Sequence, residues 1–306
     1  MKKIIVTGGA GFIGSHIVDR LIIEGYEVAV LDNISSGNRL NINDKAKLYE
    51  IDLYNGDIGS AIHDFQPNLV FHLAAQSSVS VSESNPTEDA TNNILGSLNL
   101  YKACKNTSVE KIILSSTGGA IYGDQNEFPC LENSSLNPIS PYGVSKLTSE
   151  KYLEVFAGLY GYQYTILRYG NVYGPRQSPS GEAGVISIFA GLLLKGNSVN
   201  IFGDGSQLRD YIYISDVVEA NILAMNAPNK SIYNISTNKA TSVIEIFTLI
   251  KSLTKSTNSP TFMPRRKSDV DKIVLNNSKA TKELKWLPQV DIEDGIARTV
   301  DYLKNN

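Results

Sequence analysis

The chain is poor in the residues that build metal centres and disulfide frameworks. Its 306 residues include two cysteines, Cys104 and Cys130, and three histidines, His16, His63 and His72. Two thiols in a chain of this length make no disulfide framework, and the histidines are too scattered for a metal site. Long apolar runs are missing too. The opening Met1-Lys2-Lys3-Ile4-Ile5-Val6 begins like a charged leader, but its apolar run stops at Thr7, far short of a signal-peptide core. Nothing approaches the ~20 apolar residues of a membrane helix, so the expectation is a cytoplasmic protein with no membrane partner. No excess of one charge exists either: the net charge is −3, which excludes the basic footprint of a nucleic-acid binder. What remains is an ordinary globular composition, 42% hydrophobic and 19% charged, long enough for one large α/β domain with a smaller annex.

Patterning begins at the N-terminus. Lys3-Ile4-Ile5-Val6-Thr7 reads as a buried parallel strand running into Gly8-Gly9-Ala10-Gly11-Phe12-Ile13-Gly14. A helix follows from Ser15 to about Glu24, with Ile17, Val18, Leu21 and Ile22 as its apolar face. Strand, glycine turn and helix in this order suit a dinucleotide: Gly8 permits the turn, Gly11 lets the backbone approach a pyrophosphate, and Gly14 lets helix pack on strand. The helix N-terminus offers free N–H groups to the anion, and Phe12 and Ile13 of the glycine turn are expected to touch the dinucleotide. The next strand, Glu27-Val28-Ala29-Val30-Leu31, ends in Asp32 and Asn33. A carboxylate there suits ribose hydroxyls and repels a 2′-phosphate, favouring NAD over NADP; the alternative is a residue that merely ends a strand.

Leu48 to Leu53 reads as a third strand, with Asp52 at its end a candidate for the adenine amine. Pro67 to Gln76 is the fourth, and small residues Ala74 and Ala75 before Gln76 would let backbone lie against a cofactor. His72 reads as a structural residue at that strand's end. A helix from about Asp89 to Cys104 carries Asn93, whose amide suits fixing a neighbouring loop. The fifth strand, Lys111 to Leu114, opens into Ser115-Ser116-Thr117-Gly118-Gly119. Hydroxyls at the carboxyl end of a central strand sit where doubly wound sheets bind ligands, although hydroxyls before glycines also make plain turns.

The centre of the sequence is Ser140-Pro141-Tyr142-Gly143-Val144-Ser145-Lys146. Ser140 suits an N-cap and Pro141 a first helical position, which puts Tyr142 and Lys146 one turn apart on one face. A neighbouring ammonium favours the phenolate. Bringing an ordinary phenol near pH 7 takes about 4 kcal/mol of differential stabilisation. The bland alternative is an exposed pair on an amphipathic helix.

This ordered set, Thr7-Gly8-x-x-Gly11-x-x-Gly14, Asp32, His72-x-Ala74-Ala75, Ser115-Ser116-Thr117 and Tyr142-x-x-x-Lys146, resembles the extended short-chain dehydrogenase/reductases. Among them it looks most like the nucleotide-sugar 4-epimerases, the UDP-glucose type above all. The resemblance covers nearly the whole chain. It implies a doubly wound parallel Rossmann sheet over residues 1–175, with part of 210–240 returning to it. It further implies a smaller α/β unit for the UDP-sugar over 176–306, a bound NAD, and a homodimer through helices near 89–104 and 141–160. Tyr142 would be the general base and Lys146 would hold the nicotinamide ribose and lower the tyrosine's pKa. The 4-hydroxyl partner would be Thr117 or Ser116, because one extra residue before Tyr122 leaves both open. Asp32, Asp52, Asn93 and Tyr169 would touch the cofactor.

In the second half, Tyr164 to Tyr169 reads as a sixth strand and Gln177 to Gly184 as a connection. The resemblance assigns Asn171 to the nucleotide, and Arg209 and Arg266 with Asp269 to the phosphates, where a planar fork binds oxygens bidentately. Val185, Ile201 and Phe202 would line the nucleotide site, the last two covering the uracil. Ile273 would occupy the position that admits or excludes an N-acetyl group. A 4,6-dehydratase or decarboxylase would need acidic groups where this chain has Gly118, Gly119 and Ala120. Oxidation to a uronate would need a cysteine that neither Cys104 nor Cys130 supplies. The implied reaction is interconversion of UDP-glucose and UDP-galactose. The alternatives are the UDP-N-acetylhexosamine or UDP-uronate reaction, or a non-catalytic NAD(H)-sensing protein.

Overall fold

The computed structural model describes residues 2–179, 184–266 and 269–305. In chain order the elements begin β1 (Lys3–Thr7), α1 (Phe12–Ile23), β2 (Glu27–Asp32), β3 (Lys47–Glu50), α2 (Ile58–Phe65) and β4 (Leu69–His72). Next come α3 (Val79–Ser84), α4 (Pro86–Ala90), a π-helical turn over Thr91–Leu95 and α5 (Gly96–Ala103). They are followed by β5 (Lys111–Thr117), α6 (Gly118–Ile121), α7 (Pro141–Tyr160) and β6 (Gln163–Tyr169). The chain continues with β7 (Asn171–Tyr173), α8 (Val185–Leu194), β8 (Asn200–Phe202), β9 (Leu208–Arg209), β10 (Tyr211–Tyr213) and α9 (Ile214–Ala224). It closes with β11 (Ser231–Ile235), β12 (Thr241–Ser242), α10 (Val243–Thr254), β13 (Thr261–Met263), α11 (Ser278–Leu284) and α12 (Ile292–Asn305).

Seven strands form one sheet in the order β11-β6-β5-β4-β1-β2-β3. The pairings of β1 with β2 and β4, β2 with β3, and β4 with β5 are parallel. The order reverses direction between β1 and β4, which is where a doubly wound sheet opens its ligand crevice. Strands such as Ile4-Ile5-Val6 and Val28-Ala29-Val30-Leu31 are buried throughout, as a parallel sheet covered on both faces requires. One core gathers Ile5, Leu31, Val70, Ile112 and Leu114 with Leu153 of α7.

The chain divides into two compact units. The first holds Met1–Thr117, Ser140–Arg168 and Val218–Tyr233; the second holds Gly118–Ile139, Tyr169–Val217 and Asn234–Asn306. Against the expectation of 1–175 with part of 210–240 returning, the first unit takes 218–233 from that stretch, but its earlier part ends at Arg168 and leaves out residues 118–139. Residues 118–139 belong with the later chain because Cys130 is held by main-chain bonds, its N–H donating to Val274 at 2.8 Å and its carbonyl accepting from Asn276 at 2.8 Å. Smaller differences are local. α1 begins at Phe12, three residues earlier than expected, and the hydroxyl run Ser115–Thr117 continues β5 instead of turning. The third strand stops at Glu50, so Asp52 and Leu53 lie in the turn beyond it. The helix expected over 89–104 is three pieces, α4, the π turn and α5. Residues 180–183 of the connection 177–184 lie outside the described residues. Among the described residues no helix is long and apolar enough to cross a membrane.

Candidate active site

The first unit carries the glycine loop. Gly8 has φ +70, and a Cβ there would lie 2.7 Å from the Ala74 nitrogen. Only glycine both takes that backbone form and lets β1 end against the turn after β4. A Cβ on Gly14 would meet the Gly8 carbonyl oxygen at 2.2 Å, so the helix seats directly on the loop. Gly11 is the N-cap of α1, and no side chain caps that helix start. The first-turn N–H groups at Phe12 and Ile13 are therefore left for an anion. Asp32, 8% exposed, accepts from the Ala10 N–H at 2.9 Å and the Ile34 N–H at 2.9 Å. The carboxylate thus ties the glycine loop to the end of β2, and its remaining lone pairs suit ribose hydroxyls. Asn33 donates to Asp52 at 2.7 Å, and Asp52 also accepts from the Tyr54 N–H at 2.8 Å. Asp32, Asn33 and Asp52 are thereby brought together at the ends of β2 and β3, while Leu53 packs into the core. Glycine cradle, uncapped helix start and a carboxylate at the end of β2 together fit a dinucleotide without a 2′-phosphate.

His72 is structural, and its tautomer follows from its neighbours. Ser97 donates its one hydroxyl proton to the Asn93 carbonyl, so Ser97 Oγ accepts from His72 Nε2 at 2.9 Å. His72 Nδ1 then accepts from Thr7 Oγ1 at 2.8 Å, and Thr7 accepts from the N–H groups of Leu73 and Ala74. Burial, and secondly Lys146, depress its pKa to about 3. Asn93, in the π turn, accepts from the Gln76 N–H at 2.8 Å and donates to the Gln76 carbonyl at 2.9 Å, to Asp89 and to Ser145. Its amide holds the loop after β4 in place, which makes it a positioning residue for Ala75 and Gln76.

Ser140 caps α7 by accepting from the Gly143 N–H at 3.1 Å, and Pro141 occupies the first turn. The Tyr142 N–H donates to Ser82 Oγ at 3.1 Å. Tyr142 and Lys146 share one face, and the Thr117 hydroxyl lies beside the Tyr142 hydroxyl. Ser116 is turned the other way: it is buried and donates to Glu150 Oε1. Lys146 is 5% exposed, and burial depresses its pKa to about 8 against the opposing pull of Glu150 and Asp89.

One expectation is corrected. Tyr142 is pushed up to about 12, first by burial and then by the Asp89 carboxylate, with only the Thr117 hydroxyl favouring the phenolate. Within the protein alone desolvation and the Asp89 carboxylate outweigh the Thr117 contact. Bringing the phenol from about 12 to near 7 requires about 7 kcal/mol, at 1.36 kcal/mol per unit, against the ~4 expected for an ordinary phenol.

Three residues at this centre escape motif reading. Glu150 lies one turn beyond Lys146 on α7 and forms a buried two-bonded pair with Arg168 of β6, Nη2 to Oε2 being 2.7 Å. Its helical spacing, 142, 146 and 150, was a usable signal. Asp89 is 1% exposed, accepts from Gln76 Nε2 at 3.0 Å, and burial raises its pKa; nothing in its local sequence marks it.

In the second unit, Arg209, Arg265, Arg266 and Asp269 gather near β8, β9 and β13. Arg209 donates to the Leu208 carbonyl at 3.0 Å and stands 3.9 Å from Asp269, and burial lowers its pKa. Arg265 pairs with Asp271 at 2.5 Å and donates to the Asp269 carbonyl. The Arg266 guanidinium lies 3.9 Å over the Phe202 ring. Asn171 is exposed at the start of β7 and Val185 is half-buried at the start of α8. Two expected lining residues are not on the surface. Ile201 and Ile273 are 0% exposed. In β8 side chains alternate, so Phe202 faces outward and Ile201 inward, and a uracil cover by both is not what the strand presents. Tyr169, at the end of β6, is 4% exposed.

These features have counterparts in known proteins. The family model described as the NAD dependent epimerase/dehydratase family matches residues 4–236. A putative UDP-glucose 4-epimerase of Methanocaldococcus jannaschii is 46% identical over 303 residues, covering 99% of each chain. The solved UDP-glucose 4-epimerase of Thermotoga maritima with UDP-glucose superposes with TM-score 0.97 at 48% identity, and each chain is covered to 99%. That of Thermus thermophilus in complex with NAD gives 0.94 at 42%, again over 99% of each chain. With its seven-stranded switch-point sheet, glycine cradle and Tyr142–Lys146 helix, the chain belongs to the NAD-dependent epimerase/dehydratase family.

Proposed function

We propose that the protein is an NAD-dependent 4-epimerase that interconverts UDP-glucose and UDP-galactose through a 4-keto sugar. The observation that carries this reading is the Tyr142–Thr117 hydroxyl pair next to the buried Lys146, in the same unit as the glycine cradle. Bound NAD⁺ supplies a hydride acceptor, and afterwards a donor, at the sugar's C4. Tyr142 removes the 4-hydroxyl proton and later returns it, and Thr117 holds the same oxygen by hydrogen bond. Lys146 keeps a positive charge by the phenolate and binds the nicotinamide ribose. Gly11, Phe12 and Ile13 hold the pyrophosphate, Asp32 the adenosine ribose, and Asp52 with Asn33 and Leu53 the adenine. Ala74, Ala75, Gln76, Ser115 and Tyr169 complete the cofactor's surroundings. Arg209 and Arg266 grip the diphosphate, Asn171, Val185 and Phe202 the nucleoside, and Asp269 orients the arginines. A grip on the nucleotide alone leaves the keto sugar able to turn its other face before reduction.

Gly118 supports epimerisation over dehydration or decarboxylation. A Cβ at that position would lie 2.2 Å from a Leu275 methyl, so an acidic side chain there would have to displace Leu275. The exposed apolar residues Leu95, Val144, Tyr152, Val155 and Leu159 on the helices around α5 and α7 support a homodimer; sedimentation of the purified protein tests it. Turnover of UDP-glucose, UDP-N-acetylglucosamine and UDP-glucuronate by purified protein tests the substrate. UDP-glucose should be fastest, and turnover confined to either of the others rejects that preference. The N-acetylhexosamine and uronate reactions are the second reading, since Ile273, buried in the core, offers no surface that would choose among the sugars.

A further inference from the structure

We propose that Glu150 positions the reacting pair. Its buried carboxylate clamps α7 to the ends of β5 and β6, fixing Thr117 against Tyr142, and supplies the anion that faces Lys146 along the helix.

The clamp is built from three elements of one unit. Glu150 is 0% exposed and Arg168 is 1% exposed. Glu150 Oε1 accepts from Arg168 Nε at 3.1 Å and from the Ser116 hydroxyl, while Oε2 accepts from Arg168 Nη2 at 2.7 Å. Ser116 immediately precedes Thr117 in β5. Successive side chains on a strand point to opposite faces, so holding Ser116 down to Glu150 sets where Thr117 is presented to Tyr142. A buried ion pair gives a fold little net stability over a well-packed apolar filling. Precise placement of a hydroxyl pair, by contrast, gains directly from a fixed second layer of contacts.

The electrostatic part follows from which groups face each other. Lys146 is faced by Glu150 from its own helix, by Asp89 from α4, and by the neutral His72 from β4, with Tyr142 one turn back. Glu150 is faced by Arg168 from β6, Ser116 from β5 and Tyr101 from α5. Among the influences that oppose burial at Lys146, Glu150 comes first. Removing its charge while Arg168 stays moves the ammonium's titration to lower pH, because the remaining neighbour is cationic.

The inference rests on the epimerase reading, and two variants separate its parts. Ser116→Ala removes the β5 contact and leaves every charge in place. It should lower kcat about tenfold with KM for UDP-glucose and the pH profile unchanged, the pattern of a lost transition-state contact. Glu150→Gln keeps the shape and removes the charge. The alkaline limb of kcat, and the pH at which bound NAD is lost, should both move to lower pH by about one unit. If Glu150→Gln does not fold because Arg168 loses its carboxylate partner, the double variant Glu150→Gln with Arg168→Met carries the same two pH readouts, with smaller shifts in the same direction because the cation is removed as well. Folded, NAD-loaded variants with wild-type kcat and an unmoved alkaline limb overturn the proposal. If neither Glu150 variant folds, wild-type kcat in Ser116→Ala overturns it. A wild-type protein that turns over no UDP-sugar rejects the epimerase reading, and the pH of NAD loss still judges Glu150.

Discussion

The two charged clusters, one in each unit, hold their charges in opposite ways. In the first, Lys146, Asp89, Glu150 and Arg168 are all buried, and Asp89, Glu150 and Arg168 are hydrogen-bonded to neighbours on other elements. In the second, Arg265 pairs with an exposed Asp271, Arg209 reaches Asp269 only at 3.9 Å, and Arg266 rests on an aromatic ring. The difference matches two tasks. Proton and hydride transfer need groups fixed to within fractions of an ångström. An anion receptor needs cations whose existing partners are weak enough to be exchanged for phosphate oxygens.

The sharpest way to break this comparison is Tyr142→Phe. It should lower kcat by about 10²–10⁴-fold while leaving NAD content unchanged, read by turnover and by nucleotide released on denaturation. Unchanged turnover would favour a silent NAD(H) sensor. Next in size is Arg209→Ala, which should raise KM for the UDP-sugar about 10–100-fold, since a charge-assisted bidentate contact is lost, with NAD content untouched. A loss of NAD instead would mean that the second unit's cation serves the first unit's ligand.

pH tests the buried lysine. Its pKa is depressed to about 8, so the ammonium is present below pH 8 and lost as pH rises through it. kcat should therefore fall about tenfold per unit above that point, where an exposed lysine would hold its charge to about pH 10. The smallest effect is expected for Asp32→Asn. It keeps one acceptor oxygen for the Ala10 or the Ile34 N–H group, sets an amide NH2 against the other, and removes the charge. NAD affinity should drop only a few-fold, by about 1 kcal/mol, and NADP, no longer repelled, should gain relative to it in a competition titration.

Legibility tracked locality. The glycine loop, Asp32 and the Tyr142–Lys146 pair are each set by residues within a few positions of one another, so helix spacing and turn chemistry were enough to find them. Ser116 and Thr117 looked equivalent in the chain, and only the neighbours at Glu150 and Tyr142 tell them apart. Asp89 and Arg168 carried no local pattern at all. Ile201 and Ile273 were expected at the surface by position, but both side chains point into the core.

By itself the amino-acid order determined that strands alternate with helices around a glycine cradle, and that a tyrosine and a lysine share one helical face. Those are short-range consequences of backbone sterics and periodicity. Only the tertiary structure decided the protonation behaviour of that pair. Burial, a property of everything packed around them, raises the tyrosine and lowers the lysine, and the carboxylates that oppose it at Lys146 lie a helical turn or a whole element away.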